Sequence, residues 1–154
     1  MLESLNIEEV LFIDIETVPI APEYEKLTEK WRELWAHKMQ FSINNGEPVE
    51  ELYGRAGIYA EFGKIICISA GYVTQKQGEL YFRVKSFYDD DEKKLIAGFF
   101  NAWQKFVHAG KRRLCAHNGQ EFDFPYISRR ALVHNLRLPK ILDIAGSKPW
   151  EIKE

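Results

Sequence analysis

The chain has 154 residues, 45% of them hydrophobic and 29% charged, with a formal net charge of -2. That length supports one domain with a real core, and the balance excludes both a disordered polyelectrolyte and a surface that is basic overall. No apolar run approaches the roughly 20 residues of a membrane span, so no membrane partner is expected. Residues Met1–Asn6 lack the basic start and apolar core of a signal peptide. Cys67 and Cys115 each sit in an apolar, strand-like run. They read as buried thiols of a cytoplasmic protein rather than a metal site or a disulfide framework.

Val10-Leu11-Phe12-Ile13 is an apolar, β-prone run that suits a central strand, and it continues into Asp14-Ile15-Glu16-Thr17. Alternation along a strand puts Asp14 and Glu16 on one face, roughly 6.5–7 Å apart. Two carboxylates at the end of a core strand are costly unless neutralised, and divalent ions do that. The plainer reading is a pair of solvated acids at a strand end.

Pro19 and Pro22 end this strand. Tyr24, Leu27, Trp31, Leu34 and Trp35 give an apolar stripe that predicts a helix over Glu23–Met39. A polar loop is expected over Ser42–Pro48 with Asn44-Asn45-Gly46 as its turn, then a shorter helix over Pro48–Tyr59. Residues 20–60 thus form a helical insert, serving either as a packing brace or as a wall beside the acids.

Lys64–Val73 is the strongest β signal, and Glu79–Tyr88 alternates as a third strand. The polar turn Thr74–Gly78 makes the two antiparallel neighbours. Asp89-Asp90-Asp91 reads as a capping run for a helix over Glu92–His108, better than as a metal cluster. The stripe of that helix is Leu95, Ile96, Phe99, Phe100, Trp103, Phe106 and Val107, with Gly110 as the stop. Arg112–His117 is a short fourth strand. Asn118–Glu121 turns, and a helix follows from Phe122-Asp123-Phe124-Pro125 to Asn135. Ile141–Ile144 is either a helical turn or an extended piece.

At the end of the fourth strand stands Asn118-Gly-Gln-Glu-Phe122-Asp123-Phe-Pro-Tyr-Ile. This stretch resembles the second motif of the DEDD (DnaQ-like) 3′–5′ exonucleases, in which an Asn is followed by an aromatic-Asp pair. The trailing Phe-Pro-Tyr-Ile is most similar to the proofreading domain of family-B DNA polymerases. Asp14-Ile15-Glu16-Thr17 resembles the first motif, and Phe62–Ser69 resembles that group's second strand. The resemblance covers most of the chain and is least secure in the insert.

The resemblance implies an α/β, ribonuclease-H-like mixed sheet flanked by helices. Three antiparallel strands would be followed by a parallel fourth, with the fifth missing or partial. Residues 1–154 would then be a single exonuclease domain, incomplete at its C-terminus. It also implies Mg²⁺ or Mn²⁺, two ions in the complete enzyme, held by Asp14, Glu16 and Asp123 as catalytic and metal-binding residues. Asp14 would bridge both ions, Glu16 would bind the one activating water, and Asp123 would hold the second. Thr17, Asn118 and Phe122 would contact a single-stranded nucleic acid at its 3′ end, Phe122 by base stacking. For Phe122, core packing is the other reading. Lys111, Arg112, Arg113, Arg129 and Arg130 would meet phosphates or simply be solvated.

The family's third motif, Tyr or His four or five residues before an Asp, is absent here. Asp143 is the only aspartate beyond Asp123, and Leu138 and Pro139 occupy those positions. A C-terminally truncated enzyme of weak activity is therefore expected, with its fourth strand as an exposed sheet edge free for self-association. A catalytically incomplete nucleic-acid-binding module is the competing reading. An Asp-x-Asp phosphatase fits less well, because Glu16 stands at the second position and the Asn118–Asp123 motif has no place in it.

Overall fold

The computed structural model describes residues 5–108 and 113–146. Four strands form one sheet: β1 (Val10–Pro19), β2 (Gly63–Lys76), β3 (Glu79–Phe87) and β4 (Arg113–Cys115), in the order β3-β2-β1-β4. β2 and β3 are antiparallel, and β4 runs parallel to β1 in a register that sets Phe12 beside Cys115. This is the expected α/β mixed sheet, three antiparallel strands and one parallel, consistent with a ribonuclease-H-like fold. The chain divides into two compact units, one of Met1–Glu16 with Ile66–Glu154 and one of Thr17–Ile65. Among the described residues no helix is long and apolar enough to cross a membrane.

In the first unit, β1 is an interior strand, and its sequence alternates accordingly. Leu11, Ile13 and Ile15 are buried, whereas Asp14 and Glu16 are exposed and Phe12 is half-buried. β2 runs to Lys76, three residues beyond the expected end. The connection is then only Gln77-Gly78, both with positive φ (52° and 86°). A two-residue hairpin turn of this handedness matches the twist of its strands, and Gly supplies the second position without strain. Thr74, Gln75 and Lys76 are polar because the hairpin tip is solvated, not because they turn.

Helix α4 (Glu92–His108) has the expected bounds. The Asp91 carboxylate accepts hydrogen bonds from the Lys93 and Lys94 backbone N–H groups, and that of Asp89 accepts from Asp91, so the acidic run caps the helix. Leu95, Ile96, Phe99, Phe100 and Trp103 are buried. Phe99 meets Phe87 of β3 edge-to-face, and Phe106 meets Tyr72 of β2. Val107, expected in the core, is exposed. Gly110, Lys111 and Arg112 lie outside the described residues.

Helix α5 (Asp123–Val133) follows β4. It packs on α4 through a buried polar cluster. The Glu92 carboxylate accepts from Arg130 Nε at 2.9 Å and from a second guanidinium nitrogen, and His134 Nε2 lies 2.8 Å from it. Arg130 is thus a core residue paired to Glu92 rather than a phosphate contact. Cys115 is exposed and Cys67 half-buried, correcting the expectation of two buried thiols. The three-residue β4 has a strand neighbour only on its β1 side among the described residues, and Arg113 and Cys115 on it are exposed. Residues Pro139–Asp143 close a single helical turn, with Leu142 N–H and Asp143 N–H donating to the Pro139 carbonyl.

The second unit holds three short helices, α1 (Glu29–Lys38), α2 (Gln40–Asn44) and α3 (Val49–Leu52), with 3₁₀ turns at Tyr24–Lys26 and Tyr53–Ile58. Its centre is Trp35, fully buried, with Tyr53, Tyr59 and Phe62 edge-on around it and its indole N–H donating to the Val49 carbonyl. α1 begins six residues later than its apolar pattern suggests. The Tyr53 hydroxyl binds both the N–H and the carbonyl of Ala21, and Leu27 is buried in extended backbone, so tertiary contacts override helical propensity there. Of the expected stripe Trp31 and Leu34 stay 36% and 46% exposed. α2 takes up the first part of the expected polar loop, and Gly46 closes it at φ +91°, donating to the Ile43 carbonyl.

Removing one partner of a buried ion pair leaves the other charge uncompensated, at about 3–5 kcal/mol. Glu92→Ala should therefore destabilise the protein by that amount in urea unfolding. The Glu92→Met/Arg130→Met double variant should lose less than Glu92→Ala alone. A larger loss in the double variant would show that the pair itself, not the orphaned guanidinium, carries the stability.

Candidate active site

The parallel pairing of β1 with β4 delivers the second motif to the first. β4 ends at Cys115, level with Phe12 of β1. The chain then turns through residues 116–122 and enters α5 at Asp123. Asn118 adopts the left-handed conformation (φ 54°), one that Asn tolerates better than most residues. Its carbonyl accepts from Glu121 N–H at 3.1 Å and Phe122 N–H at 3.0 Å. Gly119 is buried, and a Cβ there would lie 2.7 Å from both the Ala116 Cβ and the Phe124 ring. The turn therefore needs a residue with no side chain at its tightest point.

Asp123 is 3% exposed at the first position of α5. Its own N–H and the N–H of Ile15, the residue between the two acids of β1, lie near its carboxylate and favour the charged form. Burial raises its pKa above the usual aspartate range, and the neighbouring Asp14 carboxylate raises it further. The two backbone donors and His117 oppose them without cancelling the rise. Asp14 and Asp123 are thus close enough to repel. Asp14 and Glu16 are both exposed on the same face of β1.

An oxygen-only pair of acids, one of them held buried with a raised pKa, suits a hard divalent cation such as Mg²⁺ or Mn²⁺. Asp14 and Asp123 form that pair. Among the described residues no three His, Cys, Asp or Glu side chains stand close enough together to hold an ion. Glu16 is on the right face but does not complete a three-ligand set as its side chain stands.

The other sequence-derived residues divide. The Thr17 hydroxyl donates to the Gly57 carbonyl at 2.8 Å within the second unit, which engages its side chain in structure. Asn118 is exposed, and its backbone shapes the turn. Phe122 is half-buried, its ring tilted against Tyr126 at 5.4 Å, so part of it packs and part is open. Arg113 and Arg129 are exposed; Arg113 stands at the start of β4, away from Asn118. A cavity of about 800 Å³ among α4, β4 and residues 137–143 is lined by Arg113 but by none of Asp14, Glu16, Thr17, Asn118, Phe122 and Asp123. Sequence reasoning missed Gly119, His117 and the Ile15 N–H. The Asn-Gly dipeptide marks a turn, but nothing in it marks a Cβ clash, and a backbone donor leaves no trace in residue identity.

Two outcomes follow from this geometry. Gly119→Ala forces a clash at the turn and should cost about 1–3 kcal/mol, as over-packing does, read by urea unfolding against Gly54→Ala, where a Cβ meets nothing within 4 Å, as a control. An acid whose folded pKa is raised supports the fold fully only below its unfolded pKa, and that support is lost as pH rises through the folded value. Metal-free wild type should therefore lose stability as pH rises from the ordinary aspartate range of about 3.9. Asp123→Asn should not, so its melting temperature should exceed that of wild type at neutral pH, with the gap closing in acid. A gap that stays constant with pH would mean that Asp123 is not strained by its charge.

The family whose pattern the chain matches is described as a predicted 3′-5′ exonuclease related to the exonuclease domain of PolB, and the match runs over residues 58–153. It includes Asn118–Asp123 and begins after Asp14 and Glu16, so those two acids rest on the geometry above. No curated protein matches the chain. With more than half of its length matched, the chain belongs to the family of predicted 3′-5′ exonucleases related to the PolB exonuclease domain.

Proposed function

We propose that this site hydrolyses the 3′-terminal phosphodiester of single-stranded DNA or RNA with divalent metal. The observation that carries the reading is the buried Asp123 carboxylate, close to the Ile15 N–H and to Asp14. The family membership gives that pair a reaction. Bound Mg²⁺ or Mn²⁺ would neutralise the carboxylates and polarise the phosphate and its attacking water, with two ions in the complete site. Asp14 and Asp123 would hold the metal, and Glu16 would join them by rotating its exposed side chain from the same face of β1.

The remaining residues position the substrate. The Thr17 backbone N–H would meet the terminal 3′-OH, the open part of the Phe122 ring would stack on a base, and Asn118 would line the groove. Arg129, exposed on α5, is available to phosphate, whereas Arg130 is committed to Glu92. With three acids and no fourth in a Tyr- or His-led motif, we expect these 154 residues to bind one ion weakly and to turn over slowly. A nucleic-acid-binding module without turnover is the second reading, and the lack of a three-ligand set among the described residues favours it.

The test is a 5′-labelled single strand incubated with the protein and Mn²⁺. The exonuclease reading expects a ladder shortened from the 3′ end. Losing a residue that only orients a metal ligand costs about 10–100-fold. Asp14→Asn should therefore lower the rate by at least that much while its circular dichroism stays unchanged. Retention of the strand on the protein with no metal-dependent shortening would establish the binding module instead.

A further inference from the structure

β3 is the outer strand of the sheet, and its far edge pairs with no other strand among the described residues. It is also unusually bare. From Glu79 to Ser86 every residue is exposed, including Leu80, Phe82 and Val84 at 65, 57 and 59%. These three alternate, so they lie on one face. Phe82 lies over Gly71 of β2, where a Cβ would come within 2.5 Å of its ring, and meets Phe12 of β1 edge-to-face. The opposite face carries Glu79, Tyr81, Arg83 and Lys85. A long exposed edge with an apolar row is a template for strand addition, and proteins usually protect such edges with lysine.

We propose that the outer edge of β3 pairs antiparallel with β3 of a second copy of this chain, in the register that sets Phe82 opposite Phe82. The charges select that partner and that register. A two-fold axis perpendicular to the sheet keeps each face on its own side, so only residues of like parity can oppose each other. With Phe82 at the axis, Glu79 faces Lys85 of the other copy and Lys85 faces its Glu79. Tyr81 faces Arg83, a cation–π pairing, and Leu80 faces Val84, which joins the two apolar rows. Moving the axis to Arg83 sets two guanidiniums face to face and leaves Glu79 without a cation. Moving it to Tyr81 leaves Lys85 beyond the paired segment. The edge cations that would repel an unrelated strand therefore find partners in a copy of the same one.

Within one copy the Tyr81 hydroxyl already donates to Glu79, and the Lys85 ammonium sits 4.9 Å from the Phe87 ring centroid, so both charges are held on this face. The three-residue β4, on which the sequence alone would place self-association, offers far fewer backbone groups than nine-residue β3. The axis also leaves both copies' Asp14 and Glu16 on the same face of one continuous sheet.

Sedimentation equilibrium over a range of concentrations at low salt reads the pairing. Wild type should show a monomer–dimer equilibrium. Lys85→Glu should weaken it about tenfold or more, because the two-fold axis counts each like-charge contact twice. Its β2 partner within the hairpin is Ala70, so that variant leaves the monomer's own pairing alone. Glu79→Lys should also weaken the dimer, and the Glu79→Lys/Lys85→Glu double variant should restore it. A monomer at every concentration overturns the proposal and leaves the apolar row to a different occupant. A dimer indifferent to the single reversals, or not restored by the double, overturns the register.

Discussion

The site depends on the cost of burying one carboxylate. Asp123 is almost wholly removed from water, and its negative charge is met by nearby backbone N–H groups, by the start of α5 and by His117. The Asp14 carboxylate stands close enough to make the burden heavier. A protein has no structural reason to place two acids this way, since a hydrophobic residue at Asp123 would pack without the penalty. On the proposed reading, a cation entering between the two acids would neutralise them and relieve that strain.

What holds the pair together is mostly backbone. The Ile15 N–H lies near the Asp123 carboxylate, and the turn from Ala116 to Phe122 brings the helix start to that donor. The turn works because Asn118 accepts a left-handed backbone and Gly119 admits the Phe124 ring. The second motif's asparagine thus has a conformational job whatever it also does for substrate. Phe122 has a similar double position, half against Tyr126 and half open.

Much of the fold was legible because it rests on local rules. The central strand β1, the Asp91 cap and the stripe of α4 follow from periodicity and capping, and with the exception of exposed Val107 they stand where the residues put them. The failures have tertiary causes. α1 starts late because the Tyr53 hydroxyl claims the backbone of Ala21, a contact made across the second unit. Arg130 reads as a surface cation until Glu92, far away in sequence, is found beneath it. Cys115 lies in an apolar run yet is exposed, because burial on a strand requires something packed on the face that the side chain occupies, which the run itself does not show. At the site, the acids and the turn were legible from residue type and spacing, whereas the Ile15 donor and the tight fit at Gly119 exist only in three dimensions.

α5 is held at both ends by opposite charge logic. At its start a buried acid is left short of positive charge; near its end a buried cation, Arg130, is fully matched by Glu92, with His134 beside them. Glu92 sits in the first turn of α4, where the helix dipole favours a carboxylate, so the pair is stabilised by α4 itself. A helix anchored only at the strained end would swing away from Asp14 to relieve the repulsion. Anchored by an ion pair two turns further on, it cannot move without separating buried charges. The matched cluster thereby makes the unmatched one possible, and the closeness of Asp123 to Asp14 is a property of both ends of the helix.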